Sequence, residues 1–412
     1  MGRRRAQAPP DPAPGRRSPR SMGCTKDRWV RWGVIGACSL LLMTAVGLAT
    51  CGCLPRHPIE SAALLLDLAA ADGDSWLKRS TPAPQRRSVR YAKGGNDYRA
   101  DVYVPRVPSR AGLLLLPGAA EAGKDDPRLV AFATSLARMR FTVLVAEMAG
   151  LRELRLSADA VPELVAAIEY LAANPQWSPQ GGTGVAGISY ALGPAILAAR
   201  EPGVRGRVRF IVGVGGYHDL VAVVTFFTTG YFRDRTRPDR PWRHLEPNSY
   251  GKWVFVLSNV ERLQDVSDRS ILETMARRKM TDANASIEDL AQRLGPEGRS
   301  YYELLENRDP LRTPALLQRL PREVLAEIER LDLTHYDLSK MTAQVLLFHG
   351  RDDTIIPFTE SLALKQAVAP GRGRLFLLDG LAHVDLQDVG WRDGLRLWCG
   401  VDALLRQRAR AD

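Results

Sequence analysis

Beyond residue 54 the chain has a single cysteine, Cys399. The other four of its five cysteines, Cys24, Cys38, Cys51 and Cys53, lie before that point. A disulfide framework within the remaining residues is therefore excluded, and no Cys/His spacing typical of a zinc site occurs. We expect neither a metal nor a disulfide in the globular part.

Excess positive charge is also missing from most of the chain, although the formal net charge is +11. Residues 1–31 carry nine basic side chains against two acidic ones, so +7 lies there. The other residues share only +4, which argues against a DNA-binding face. We therefore expect no nucleic-acid partner.

Residues 33–54 contain no charged side chain at all, and as a helix they would span about 33 Å, enough for a bilayer core. Lys26, Arg28 and Arg31 precede them, which predicts a cytoplasmic N-terminus and a folded domain outside the cytoplasm. The favoured interpretation is a single-pass signal anchor in the cell membrane. A cleaved signal peptide, or a lipid anchor at Cys51, is the alternative, and Met22 is a possible start.

Composition and turn residues predict the organisation of the chain. Residues 1–32 form a basic, Pro/Arg-rich disordered N-terminus, and 55–87 a linker with a short helix. A core is expected over 88–217 and 342–412, where buried strands alternate with helices. This alternation is typical of a mostly parallel sheet covered on both faces. Residues 218–341 break the rhythm and are interpreted as an inserted helical cap.

Ser189 lies in the sequence Gly187-Ile188-Ser189-Tyr190-Ala191, after an apolar strand (184–187) and before a helical run (192–200). A strand–turn–helix with small residues around a serine exposes the hydroxyl at the end of the sheet. An alcohol is a weak nucleophile near neutral pH, so it needs a base and a group that orients the base. The last position of the motif is Ala191 where glycine is usual.

A carboxylate and an imidazole follow downstream in the order Ser, Asp, His. The segment His349-Gly350-Arg351-Asp352-Asp353 leads to Pro357, and His383 follows a predicted strand over 375–379. His349 is interpreted as a brace for the strand end.

With these motifs the chain resembles the α/β-hydrolase superfamily from about residue 88 to 408, outside the cap, and is most similar to its esterase, lipase and dienelactone-hydrolase branches. The resemblance implies a triad of Ser189, Asp353 and His383, with Asp352 as the alternative acid. It also implies an oxyanion hole formed by the backbone N–H groups of Tyr190 and Ala119. The expected fold is an α/β-hydrolase fold with an inserted helical cap.

No cofactor is expected. Residues 182–187 match a Gly-x-Gly-x-x-Gly pattern, but these glycines precede and form the strand that ends at Ser189, where a nucleotide fingerprint needs them after a strand.

The resemblance implies a serine hydrolase that cleaves a carboxylic ester or related acyl bond through an acyl-enzyme, with a small-molecule or lipid-like acyl substrate. Two alternatives stay open at this point: a serine peptidase, which uses the same machinery, and a catalytically silent binding or scaffold protein. The apolar run 221–232 could line an acyl pocket or simply form the core of the cap. The sequence does not reveal the acyl specificity or the oligomeric state.

Overall fold

An eight-stranded sheet forms the centre of the molecule. The computed structural model describes residues 55–118, 121–179, 181–237, 239–382, 385–386 and 390–409. The order of the strands is β1-β2-β4-β3-β5-β6-β9-β10, and β2 alone runs opposite to the others, since it is antiparallel to both β1 and β4. The strands are β1 (Gln85–Lys93), β2 (Asn96–Val104), β3 (Ala111–Leu116), β4 (Phe141–Ala146), β5 (Thr183–Ile188), β6 (Val208–Val214), β9 (Gln344–Gly350) and β10 (Gly373–Leu378).

Four two-residue strands complete the set. β7 (Tyr231–Phe232) pairs with β8 (Arg243–His244), and β11 (Leu381–Ala382) pairs antiparallel with β12 (Asp385–Leu386). β1 and β2 form a hairpin with a tight turn. Only Gly94 and Gly95 form it, with φ of 61° and 84°, because a two-residue hairpin turn requires left-handed conformations that glycine adopts without steric cost.

Fifteen helices lie among the described residues: α1 (Pro58–Ala70), α2 (Trp76–Ser80), α3 (Pro127–Arg138), α4 (Ala149–Arg152), α5 (Val161–Ala172), α6 (Leu192–Arg200), α7 (Leu220–Thr229), α8 (Tyr250–Asn259), α9 (Val266–Thr281), α10 (Glu288–Ala291), α11 (Pro296–Leu305), α12 (Thr313–Leu317), α13 (Arg322–Leu331), α14 (Thr359–Ala367) and α15 (Trp391–Arg406). Their order confirms the predicted alternation of strands and helices in the core.

The strands separate two apolar layers because successive side chains point to opposite faces of a sheet. Leu113 and Leu115 belong to a cluster shared with α1, α3 and α15, whereas Leu114 and Leu116 belong to the larger cluster shared with α5, α6 and α14. All six residues of β3 are buried. The sheet is thus covered on both faces, as its continuous apolar strands predict.

The connection between β6 and β9 contains seven helices among its described residues, α7 to α13. These helices pack into the same apolar cluster as α5 and α6, so the insertion shares a core with the sheet. The bounds of 218–341 for a separate cap stay a prediction.

One helix expected in this insertion is divided in two. The apolar pattern predicts a continuous helix from Lys252 to Val266, but α8 ends at Asn259 and α9 begins at Val266. The carboxylate of Glu297 accepts the backbone N–H groups of Gln264 and Asp265, at 2.8 and 3.0 Å. These bonds hold the chain in a turn, and the prediction of one helix was wrong.

The segment 33–54, expected to span the membrane, lies outside the described residues. Among the described helices, none is both long enough and apolar enough to cross a bilayer.

The start of the insertion is tied to the core by Glu360, which is 1% exposed. Its Oε2 accepts the backbone N–H groups of His218 and Asp219, at 3.1 and 2.7 Å. Burial raises the pKa of this carboxyl to about 8, while the bond from His218 and the charge of Arg235 lower it and Asp332 raises it. Folded protein therefore keeps a proton on Glu360 at a pH where the unfolded chain has lost it.

The free energy of unfolding should consequently fall as the pH rises from 4.5, the ordinary pKa of a glutamate, toward 8. Glu360→Gln keeps an acceptor for both N–H groups and cannot ionise. We expect the Tm of this variant, relative to that of the wild type, to increase between pH 5 and pH 8. Thermal unfolding of both proteins in matched buffers measures this difference. Parallel curves for the two proteins would contradict the assignment.

Candidate active site

Ser189 is held in a left-handed conformation at the carboxyl end of β5, with φ of 56°. It begins a short 3-10 turn that leads directly into α6, and it is 5% exposed. A non-glycine residue in this region is strained, and such strain is typical of functional sites. This geometry confirms the strand–turn–helix expected around Ser189, but the serine is buried, whereas the motif predicts an exposed hydroxyl.

Small residues around the turn make the close approach of strand and helix possible. A Cβ placed on Gly187 would lie 2.7 Å from the Cα of Leu192, and one on Gly193 would lie 1.9 Å from the hydroxyl of Tyr217. Ala191 is 2% exposed, so its methyl group is accommodated in the core. The departure from glycine at the last motif position therefore does not prevent the turn.

The loop after β3 lies directly against the nucleophile position. A Cβ placed on Gly118 would be 3.7 Å from the Cβ of Ser189. Ala119, the expected second oxyanion donor, lies outside the described residues. Tyr190, the other expected donor, follows Ser189 at the start of the 3-10 turn. The role of both backbone N–H groups stays a prediction.

Asp353 is 1% exposed and sits in a cradle of backbone donors. Its Oδ1 accepts the N–H groups of Ile355 and Ile356, at 2.8 and 3.0 Å. Asp352, the alternative acid, is exposed to solvent. A buried and hydrogen-bonded carboxylate can orient an imidazole, whereas an exposed one is free to rotate, so the arrangement favours Asp353. The assignment itself stays a prediction.

His349 contacts the carboxylate of Asp353. Its Nε2 lies 2.9 Å from the carbonyl oxygen of Ile356 and 3.3 Å from Asp353 Oδ2, and its Nδ1 lies 2.7 Å from Ser361 Oγ. Because Nε2 faces two acceptors it carries the hydrogen, and Nδ1 accepts from the Ser361 hydroxyl. Both ring nitrogens of this fully buried residue are thus engaged, in agreement with its interpretation as a brace.

The segment that carries His383 is brought to the same edge of the sheet. His383 itself lies outside the described residues, but Leu381, two residues earlier, is described and buried. Gly350, at the end of β9, allows this approach, since a Cβ placed there would lie 1.9 Å from the carbonyl oxygen of Leu381. Two of the three expected catalytic residues are therefore described, together with the chain leading to the third.

Gly350→Ala should displace β11 and with it the chain before His383. We expect a loss of stability of about 1–3 kcal/mol from the forced contact, and a fall of about 100-fold in kcat/KM, the size of effect produced by a misplacement of about 1 Å. Ester hydrolysis and thermal unfolding measure the two effects.

Gly394→Ala is the matched control, because a Cβ at this helical position meets nothing within 4 Å. Equal activity of the two variants would show that the approach of Leu381 does not position the site.

Tyr190 contributes a buried phenol beside the acid. Burial raises its pKa, and the charge of Asp353 raises it further, so the group is a neutral O–H near pH 7. Its hydroxyl has no hydrogen-bond partner among the described residues. Sequence reasoning considered only the backbone of Tyr190 and missed this side chain.

Comparison with known structures decides the fold. A candidate hydrolase from Legionella pneumophila superposes with a TM-score of 0.53 at 14% sequence identity, covering 85% of this chain and 96% of the other. The chain has the α/β-hydrolase fold. No protein-family model and no curated protein sequence matches it.

Two esterase structures superpose less closely. An esterase from Pyrobaculum calidifontis is 15% identical with a TM-score of 0.44, covering 85% of this chain and 90% of the esterase. The esterase domain of a Rhodothermus marinus protein is 14% identical with a TM-score of 0.40, covering 79% of this chain and all of the domain.

Proposed function

We propose that the protein is a serine hydrolase that cleaves a carboxylic ester or a related acyl bond. Ser189 Oγ attacks the acyl carbonyl while His383 takes its proton, and the oxyanion is held by the backbone N–H groups of Tyr190 and Ala119. His383 then protonates the leaving alcohol as the C–O bond breaks. Water, deprotonated by His383, attacks the acyl-enzyme and releases the acid and Ser189.

The observation that carries this proposal is the strained, buried serine at the carboxyl edge of the sheet. A φ of 56° is unfavourable for serine, and glycine would fill such a turn at lower cost. Gly118 lies against Ser189, which supports a donor loop on that side. No such geometry is needed by a binding or scaffold protein.

The environment of Asp353 supports the same chemistry. Backbone donors stabilise its ionised form, and an ionised acid beside an imidazole stabilises the imidazolium formed during attack. His349 holds the second oxygen. A carboxylate fixed in this position would orient His383, the proposed base.

Labelling with a fluorophosphonate tests the proposal, since this probe reacts preferentially with an activated serine. We expect the full-length wild type to be labelled and Ser189→Ala and His383→Ala to be unlabelled. His335→Ala is the matched control, because that histidine is exposed, and it should label normally. A folded wild type that is never labelled would overturn the proposal, as would undiminished labelling of Ser189→Ala.

We also propose that residues 33–54 attach the protein to the cell membrane with the catalytic domain outside the cytoplasm. The support is their lack of charge and the basic residues before them. Protease accessibility in intact cells and spheroplasts tests this topology. Protection of the catalytic domain in spheroplasts would contradict it.

A further inference from the structure

A small apolar cavity lies between the inserted helices and the nucleophile helix. Its volume is about 50 Å³. Three inserted helices, α7, α8 and α13, contribute most of the wall, and Tyr190, Pro194 and Tyr217 close it on the side of the sheet. These elements come from distant parts of the sequence, so no single motif encodes the cavity.

The cavity borders the nucleophile through Tyr190. This residue follows Ser189 in the chain, and its ring forms part of the cavity wall. The rings of Tyr190 and Tyr217 lie 6.1 Å apart, and the Tyr217 hydroxyl occupies the space left open by Gly193. The wall of the cavity therefore includes the residue next to the nucleophile.

Among the described residues, Glu327 is the only charged residue that lines the cavity, and its charge is already compensated. Its Oε1 accepts the backbone N–H of Ala158 at 2.7 Å and lies 3.2 Å from Arg262. Its Oε2 lies 2.9 Å from Arg330. The wall thus offers no ionic partner to a charged acyl group, and burying an unpaired charge there would be strongly unfavourable.

We infer that this cavity is the acyl pocket and that the substrate carries a short, uncharged, apolar acyl group. The inference rests on the proposed function of Ser189. A water-sized group needs about 10–15 Å³ of such volume, so the cavity accepts about four groups of methylene size. Esters of acids with about four to six carbons should fit best, while dicarboxylic and charged amino-acid acyl groups are excluded.

Helix α7 lies between this inner cavity and a second, outer cavity. Residues on its outer side can therefore serve as controls for substitutions on its inner side. Val223, Val224 and Phe227 face the inner cavity. Val221 and Thr225 face an outer cavity of about 410 Å³ that is lined by Arg233, Arg235 and three carboxylates. A substitution at Val223 changes the inner cavity, and the same substitution at Val221 does not.

The test measures kcat/KM of the full-length protein for p-nitrophenyl acetate, butanoate, hexanoate and decanoate. Hexanoate should exceed decanoate by about 10-fold in the wild type, a discrimination in the range that one or more methylene groups supply. Val223→Phe fills the cavity and should lower the hexanoate-to-acetate ratio by about 10-fold. Phe227→Leu enlarges the cavity and should move the optimal acyl chain length toward longer chains. Val221→Phe should have the same chain-length profile as the wild type.

Because the two variants are expected to change the profile in opposite senses, misfolding cannot imitate the result. A chain-length profile that is the same in wild type, Val223→Phe and Phe227→Leu, with hydrolysis still dependent on Ser189, would overturn the acyl pocket alone. A folded wild type that hydrolyses none of the esters would overturn the proposed function and this inference together.

Discussion

Ser189→Ala should lower kcat for ester hydrolysis by about 10⁴- to 10⁶-fold. Removal of the nucleophile in enzymes of this chemistry leaves only what the oxyanion donors and substrate binding contribute. Tm should change little, because alanine keeps the same Cβ and the same backbone restriction. Steady-state hydrolysis of p-nitrophenyl butanoate, with circular dichroism of both proteins, measures the effect.

The sharpest version of this experiment compares burst kinetics. Wild type should release p-nitrophenol in a fast phase whose amplitude matches the enzyme concentration if deacylation is slower than acylation. Ser189→Ala should show no such phase at any concentration. A variant that retains more than about a tenth of the wild-type kcat would show that the hydrolysis depends on another group.

Asp353→Asn is expected to lower kcat by about 10⁴-fold, because an amide in this place favours the wrong tautomer of the base. The substitution keeps the size of the side chain and an oxygen for the N–H groups of Ile355 and Ile356, so the loop should hold its conformation. The rate of ester hydrolysis over a range of pH measures the effect. We expect the activity of the variant to recover partly at high pH, where hydroxide can replace the base.

Asp352→Asn is the matched control, since it removes the neighbouring carboxylate, which is exposed. Its kcat should stay within about threefold of the wild type, because surface substitutions away from special features have small effects. If Asp352→Asn lost activity and Asp353→Asn kept it, the acid would be Asp352.

The core of the fold could be predicted from the sequence because its strands are short, apolar and separated by strong turn residues. β5, expected over residues 184–187, extends one residue further at each end. The sheet order could not be predicted, since it depends on which strands meet in space. The break between α8 and α9 was missed because it is fixed by Glu297, more than thirty residues further along the chain.

The candidate site could be predicted only in part, for a related reason. Ser189 and Asp353 stand in local motifs, and each motif carries its own backbone geometry. The contacts of Gly118 with Ser189 and of Gly350 with Leu381 join segments that are distant in sequence, and an isolated glycine gives no sign of its partner. The proposed acyl cavity could not be predicted for the same reason, because five separate segments of the chain form its wall.

The left-handed backbone at Ser189 sets stability against the proposed activity at one residue. Glycine occupies this conformation without the clash between Cβ and backbone, which costs other residues about 1 kcal/mol or more. A chain with glycine at this position would therefore be easier to fold and unable to form an acyl-enzyme. Selection for thermal stability alone would remove the nucleophile, so any programme to stabilise this protein has to be screened for turnover as well as for Tm.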